Sequence, residues 1–171
     1  MAAPRQTEDE LLPSQTEGYK VGQEKTLAEL NQLDKVVPIA LFLESPTLQT
    51  PINLDLTLGP EGLKKHKKDP ITIKEGADFS VGIKFRVENQ IVSGMKYIQV
   101  VKRAGMTVDK DEVMIGSYGP QKDAHTKIFA SEEAPSGMMA RGTYNVRSRI
   151  VDDDGTIHMD FEWAFKIAKE W

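Results

Sequence analysis

The sequence predicts an antiparallel β-sandwich preceded by a polar N-terminal arm. Residues 157–167, IHMDFEWAFKI, place apolar or aromatic side chains at every second position, and residues 78–87 alternate in the same way. Such alternation is typical of a strand with one face buried and one face in water. No pattern of helical period is found after residue 36. Strands of this kind bury their apolar faces by packing two sheets against each other.

Apolar runs separated by turn signals predict about nine strands. Asp154-Gly155 lies between the last two runs, residues 142–151 and 157–167, and this dipeptide favours a tight hairpin. The other predicted strands are residues 36–43, 52–58, 78–87, 91–103, 112–118 and 126–130.

The N-terminal arm, residues 1–35, is predicted to be flexible with one short helix. Its first 24 residues are polar and acidic, which favours disorder. Thr26 and Glu29 then have the spacing of a capping box, and the leucines of LAELNQL form a narrow apolar stripe. So short a helix is marginal alone in water and needs a surface, either its own domain or a partner. Candidate phosphorylation sites in the arm are Thr7, Ser14 and Thr16.

Composition argues against several classes of protein. A net charge of −4 over 171 residues disfavours a nucleic-acid binder, which normally carries a basic patch. The chain has no cysteine, so disulfides and thiol catalysis are excluded. No apolar run approaches the length that spans a bilayer, and the acidic N-terminus lacks the apolar region of a signal peptide. We therefore expect a cytoplasmic protein.

No motif predicts an enzyme or a cofactor. The sequence has no phosphate loop, nucleophile elbow or paired-carboxylate pattern. His66, His125 and His158 lie far apart without metal-ligand spacing, and we interpret them as ordinary surface residues.

Two charged runs have simple interpretations. The acidic run 152–154 does not form a calcium loop: with Gly155 in the sixth position, Ile150 and Phe161 would be first and twelfth, and neither can ligate. We interpret this run as an acidic hairpin tip and predict no metal site. The basic run KKHKK, residues 64–68, is a candidate membrane contact, although a solvated turn is the simpler interpretation.

Three aromatic side chains occupy the apolar face of the last predicted strand. Phe161, Trp163 and Phe165 either fill the core or line a cavity for a ligand, and periodicity alone favours the core. The residues alone thus predict a soluble β-sandwich with a binding role and leave its ligand open.

Several longer stretches resemble the Rho GDP-dissociation inhibitor family. IVSGMKYIQ, GSYGP and EEAPSGMMARG are long and unusual, and VRSRIVDDDGT and FEWAFKIAKEW add to the match, which runs from about Tyr19 to Trp171. The resemblance implies an immunoglobulin-like sandwich that binds GDP-bound Rho-family GTPases carrying a geranylgeranyl group. It also implies that the lipid lies between the sheets, that the GTPase is extracted from membranes and that GDP release is slowed.

The resemblance also assigns two sets of residues. The acidic set would face the basic stretch before the prenylated cysteine and the GTPase body near its second switch. Implied prenyl-binding residues are Leu43, Ile71, Phe79, Ile91, Met139, Phe161 and Trp163, with Phe161 at a position where the family often has tryptophan. Implied GTPase-binding residues are Asp34, Asp109, Glu132, Glu133, Asp153 and Asp154.

The arm departs from the family pattern. Lys35 leads straight into the first predicted strand, where the family has an acidic turn, a second helix and a linker. Our hypothesis is that lipid binding is kept while inhibition of nucleotide exchange is weakened. The alternative is a β-sandwich chaperone for other lipidated proteins. An adhesion-type immunoglobulin domain is disfavoured by the lack of cysteine and of a secretion signal.

Overall fold

The computed structural model describes residues 11–14 and 35–171, and in them shows ten β-strands in two sheets with one α-helix. The all-β sandwich predicted from the sequence is confirmed, whereas its immunoglobulin-like form stays a prediction. The short helix predicted for the arm lies outside the described residues. The strands are β1 Lys35–Glu44, β2 Ile52–Asp55, β3 Ile71–Lys74, β4 Asp78–Glu88, β5 Val92–Arg103, β6 Met106–Tyr118, β7 His125–Ile128, β8 Glu132–Glu133, β9 Gly142–Val151 and β10 Ile157–Ala168, and the helix α1 is Pro60–Lys68.

Each sheet contains five strands. The first sheet has the order β2-β1-β4-β7, with the short β8 paired to the start of β4. The second sheet has the order β3-β10-β9-β5-β6, in which β3 runs parallel to β10 and the other neighbours are antiparallel. Helix α1 carries the chain from an edge strand of the first sheet to an edge strand of the second.

The prediction that no helix follows residue 36 is wrong, because the basic run KKHKK forms the second half of α1. Proline at the first helical position, Glu61 in the first turn and lysines in the last turn all suit the helix dipole. Leu63 packs against the core, but no residue of α1 is fully buried. One apolar contact in nine residues gives no helical period, so pattern analysis could not find this helix.

The core lies between the facing sides of the two sheets. Ile83 and Phe85 of β4 face Met95 of β5 and Ile150 of β9, and each is almost completely buried. Alternation along β4 and β10 predicted these inner faces correctly. No helix in the described parts of the chain is long and apolar enough to cross a membrane.

The interpretation of the histidines as surface residues is wrong for His158. Its side chain is 5% exposed, and Nε2 donates a hydrogen bond of 2.7 Å to Asp152 Oδ2. The other carboxylate oxygen of Asp152 accepts bonds from the N–H groups of Asp154 and Thr156, which fixes the turn between β9 and β10. Burial opposes ionisation, but these hydrogen bonds outweigh it and hold the pKa of Asp152 below its usual value.

His125 is also more than a surface residue. Its ring packs 4.7 Å from the ring of Tyr118 and 5.5 Å from that of Phe85.

Replacing Asp152 by asparagine is expected to lower the free energy of unfolding at pH 7 by about 2 kcal/mol, because buried hydrogen bonds to an ionised carboxylate are lost. The contribution of ionised Asp152 is present above its unfolded pKa of 3.8 and is lost as the pH falls through the lower folded value. Urea unfolding between about pH 5 and pH 2 should therefore show a flatter pH dependence in Asp152→Asn than in the wild type. The matched control is Asp153→Asn at the exposed neighbouring position, and equal pH profiles for all three proteins would contradict the assignment.

Candidate functional site

A cavity of about 290 Å³ lies between the two sheets. Its walls are apolar and largely aromatic, and its opening is formed by exposed residues of β6, of β8 and of the loop after β8. On the side of the first sheet, the cavity is lined by Phe79, Val81 and Phe129. On the side of the second sheet, it is lined by Ile73, Tyr97, Gln99, Val101, Val113, Tyr144, Trp163, Phe165 and Ile167.

Aromatic side chains pack on one another in these walls. The rings of Tyr144 and Phe165 stack with their centroids 5.0 Å apart, and Trp163 lies 5.9 Å from Phe165. Tyr97 stacks with Phe129 at 5.0 Å. Such contacts hold large rings in fixed positions and provide the flat apolar surfaces that a lipid or another apolar ligand requires.

A chain of hydrogen bonds satisfies the polar groups behind this wall. Trp163 Nε1 donates to Ser148 Oγ at 2.9 Å, and Ser148 Oγ lies 2.7 Å from the Tyr97 hydroxyl. Since Tyr97 donates its one proton to Gln99 Oε1 at 2.8 Å, the Ser148 hydroxyl donates to Tyr97. Burial raises the pKa of Tyr97, which keeps the phenol protonated and the chain neutral.

A small void of about 10 Å³ lies next to the cavity. It is lined by Leu43, Ile71 and other apolar residues of β1, β2 and β3, and it shares Val81 and Trp163 with the cavity. The two side chains therefore form a common wall between the two spaces.

The opening of the cavity carries four carboxylates. Asp109 and Asp111 come from β6, and Glu132 and Glu133 come from β8. Partial burial, together with Asp111 and Asp109, raises the pKa of Glu132. A cation at this opening would relieve the repulsion between the carboxylates, so the site is suited to a basic partner.

The loop before β9 is fixed to the cavity wall by Arg103. Its guanidinium lies 4.9 Å from the centre of the Tyr144 ring, and its nitrogens donate to the Tyr144 hydroxyl at 3.0 Å and to the carbonyl oxygen of Arg141 at 2.6 Å. Gly142 has φ of +136°, and a Cβ atom there would lie 2.9 Å from the Arg103 side chain. Glycine at this position thus lets Arg103 reach both groups.

Four of the seven residues predicted to bind the prenyl group lie at these two spaces. Phe79 and Trp163 line the cavity, and Leu43 and Ile71 line the adjacent void. The structure does not bring the other three into the cavity: Phe161 lines a separate depression beside α1, and Ile91 and Met139 are 65% and 88% exposed.

The cavity is also lined by residues that sequence analysis did not identify as binding residues. Tyr97 and Tyr144 lie on predicted strands, and Phe165 belongs to the aromatic face noted above, so period-two alternation places all three on the inner face. Phe129 lies just beyond β7. Alternation predicts the face but not which inward side chains leave space between them.

The predicted GTPase-binding residues fall into separate groups. Asp109, Glu132 and Glu133 meet at the opening of the cavity. Asp153 and Asp154 are exposed in the turn between β9 and β10 and are not part of the cavity. Asp34 lies outside the described residues.

Comparison with known proteins shows the family of the chain. The family model described as RHO protein GDP dissociation inhibitor matches residues 4–170. Rho GDP-dissociation inhibitor 1 of Bos taurus is 39% identical over 179 residues, which cover 90% of this chain and 86% of that protein. The probable rho GDP-dissociation inhibitor of Caenorhabditis elegans is 35% identical over 175 residues, covering 98% and 90%.

Another relative has higher sequence identity to this chain over a shorter alignment. The Rho GDP-dissociation inhibitor of Schizosaccharomyces pombe is 48% identical over 105 residues, which cover 61% of this chain and 51% of that protein. The resemblance inferred from the sequence motifs is confirmed, and this chain belongs to the Rho GDP-dissociation inhibitor family.

Proposed function

We propose that this protein binds geranylgeranylated, GDP-bound Rho-family GTPases in the cytoplasm, takes their lipid into the cavity between its sheets and extracts them from membranes. Slowing of GDP release is part of the same proposal. Family membership supports the choice of partner. The observation that carries the proposal is an apolar cavity between the sheets whose opening is ringed by carboxylates.

Extraction of a lipid from a membrane requires an equally apolar site. At about 0.8 kcal/mol per buried CH₂, a twenty-carbon chain gives an upper bound of about 15 kcal/mol. The cavity of about 290 Å³ is at the small end of the range for ligand sites. Movement of Trp163 would join it to the void lined by Leu43 and Ile71 and lengthen it.

The carboxylates at the opening fit the peptide that leads to the lipid. We propose that Asp109, Glu132 and Glu133 face a basic stretch just before the prenylated cysteine, and that Asp153 and Asp154 face the GTPase body. Complementary charge of this kind speeds encounter and sets orientation more than it adds affinity. Ile91, Met139 and Phe161 have no role in this proposal because they lie outside the cavity.

The first test is a fluorescence titration with a geranylgeranylated basic peptide. The chain has two tryptophans, and Trp171→Phe leaves Trp163 in the cavity wall as the reporter. We expect a saturable change in Trp163 emission that requires the lipid, because the bound geranylgeranyl group would change the surroundings of the indole.

The same peptide without its lipid is the control and is expected to leave the emission unchanged. Saturable binding of acylated peptides in preference to the geranylgeranylated one would contradict the proposal and favour a chaperone for other lipidated proteins.

Replacing Glu132 by glutamine is expected to raise the melting temperature of the free protein at pH 7 and to weaken its binding of the basic lipopeptide. The folded pKa of Glu132 lies above the 4.5 of a free glutamate, so the native state is favoured below pH 4.5 and loses that contribution as the pH rises through the folded value. Glutamine carries no charge and removes both the repulsion and the attraction for a cation. Thermal unfolding from pH 4 to pH 7, together with the titration above, measures the two effects.

Glu61→Gln removes the same charge from the exposed surface of α1 and serves as the matched control. If Glu61→Gln weakens lipopeptide binding as much as Glu132→Gln does, net charge explains the result and the opening has no special role.

We also propose that the short arm weakens inhibition of nucleotide exchange. The alignment with the Bos taurus relative extends over 179 residues, more than the 171 of this chain, although it covers only 90% of it. The alignment therefore contains gaps in this chain, which supports the absence of a segment.

When a prenylated Rho-family GTPase is saturated with this protein, GDP release is expected to be faster than when it is saturated with Rho GDP-dissociation inhibitor 1. The reason is that fewer arm contacts hold the nucleotide site. Release of a fluorescent GDP analogue measures the rate, and the lipopeptide titration checks that both proteins are saturated. Equal inhibition by the two proteins would contradict a weakened arm.

A further inference from the structure

Residues 11–14 lie against the outer face of the second sheet, and we call them the docked segment. Leu11 is 2% exposed and forms a small apolar cluster with Ile98, Val100 and Val151. Ile98 and Val100 alternate along β5 with side chains that line the cavity, so this cluster lies on the opposite side of the sheet from the proposed lipid.

Polar contacts fix the end of the docked segment. Glu112 of β6 accepts two hydrogen bonds from Ser14, one from the backbone N–H at 3.0 Å and one from the hydroxyl at 2.6 Å. Lys96 Nζ lies 3.1 Å from the Ser14 carbonyl oxygen and 3.3 Å from Glu112. The carbonyl of Leu11 accepts a longer bond of 3.4 Å from Arg149.

This arrangement depends on a proton of Ser14 and a negative charge on Glu112. Burial opposes the ionisation of Glu112, but the bonds from Ser14 and Lys96 outweigh it and lower the pKa of the carboxyl. An ionised carboxylate accepts hydrogen bonds and offers none. Any group at Ser14 Oγ that lacks a proton and carries negative charge would therefore be repelled.

We propose that the docked segment is a latch that holds the N-terminal arm on the back of the sandwich, and that phosphorylation of Ser14 opens it. The Ser14 side chain is exposed and accessible to a kinase. In the reaction Ser14 Oγ loses its proton to a kinase base and forms a bond to the γ-phosphorus of ATP, and ADP leaves as the bond between the β–γ bridging oxygen and that phosphorus breaks.

The product cannot keep the contact with Glu112. The phosphate carries about −1.5 to −2 charge at pH 7 and replaces a donor that lies 2.6 Å from a carboxylate. Lys96 is one cation shared between the two anions and cannot neutralise both. The burial of Leu11 and the long bond from Arg149 then have to hold the segment against this repulsion.

Opening the latch changes how the arm is attached. In the latched protein, the chain between Ser14 and Lys35 is joined to the sandwich at both ends. After release it is joined only at the start of β1, so the entropic cost of closing that loop is removed.

The absence of cysteine makes a direct test possible. A nitroxide label at Leu12→Cys occupies a side chain that is 54% exposed next to the buried Leu11. We expect the label to attenuate the methyl NMR signals of Val100 and Val151 in the full chain, and the signals to recover fully when phosphoserine is incorporated at position 14.

Three variants separate charge from other effects. Glu112→Gln in the phosphoserine protein removes the repulsion and is expected to restore part of the attenuation. Leu11→Ser removes the apolar anchor and is expected to abolish the attenuation without any added charge. Thr143→Glu adds a charge on the same sheet face, eight residues from Val151 along β9, and is expected to change nothing.

Either of two results would overturn the proposal. Attenuation that persists with phosphoserine at position 14 would show that the added charge does not open the latch. Absence of attenuation in the unmodified protein would show that the segment does not dock in solution. Neither result bears on lipid binding, which the fluorescence titration tests separately.

Discussion

The Ser148 hydroxyl fixes two of the largest side chains that line the cavity. It joins Trp163 and Tyr97, and all three residues belong to neighbouring strands of the second sheet. Because their polar atoms are satisfied along that sheet, the indole and the phenol have no need of partners on the opposite sheet. With these two rings fixed, Tyr97 stacks on Phe129 of the opposite side, and the remaining walls contain apolar and aromatic side chains. The shape of the cavity depends on this arrangement.

Much of the fold could be predicted because the strands have clear period-two alternation. β4 and β10 are examples: from Phe79 in β4 and from Met159 in β10, every second residue faces the core or the cavity, whereas Ile157 at the start of β10 is exposed. Helix α1 was missed because Leu63 is its one residue packed on the core, although Pro60 and the terminal lysines are good helix signals. The burial of His158 could not be predicted either, because its partner Asp152 reaches it only through the geometry of a turn.

The candidate site was predictable in part. Family motifs led to Phe79 and Trp163 in the cavity and to three of the four carboxylates at its opening, but not to Asp111. They also pointed to Ile91 and Met139, which are exposed, because a motif gives the identity of a residue and not its surroundings in the fold. Docking of Leu11 was also beyond sequence analysis, since two adjacent leucines in a polar, acidic stretch have no periodicity from which a buried contact could be inferred.

The common wall formed by Trp163 has a consequence for selectivity. Val81 and the indole of Trp163 separate a cavity of about 290 Å³ from a void of about 10 Å³, and the hydrogen bond to Ser148 holds the indole in place. Side chains occupy discrete rotamers, so a turn of this indole changes the depth of the site in a step instead of by degrees. If the proposed lipid binds here, a short apolar chain would leave the hydrogen bond of the indole intact, whereas a chain that extends into the void would have to break that bond. Under the proposed function, the rotamer of Trp163 would therefore set the length of the apolar chain that the site accepts.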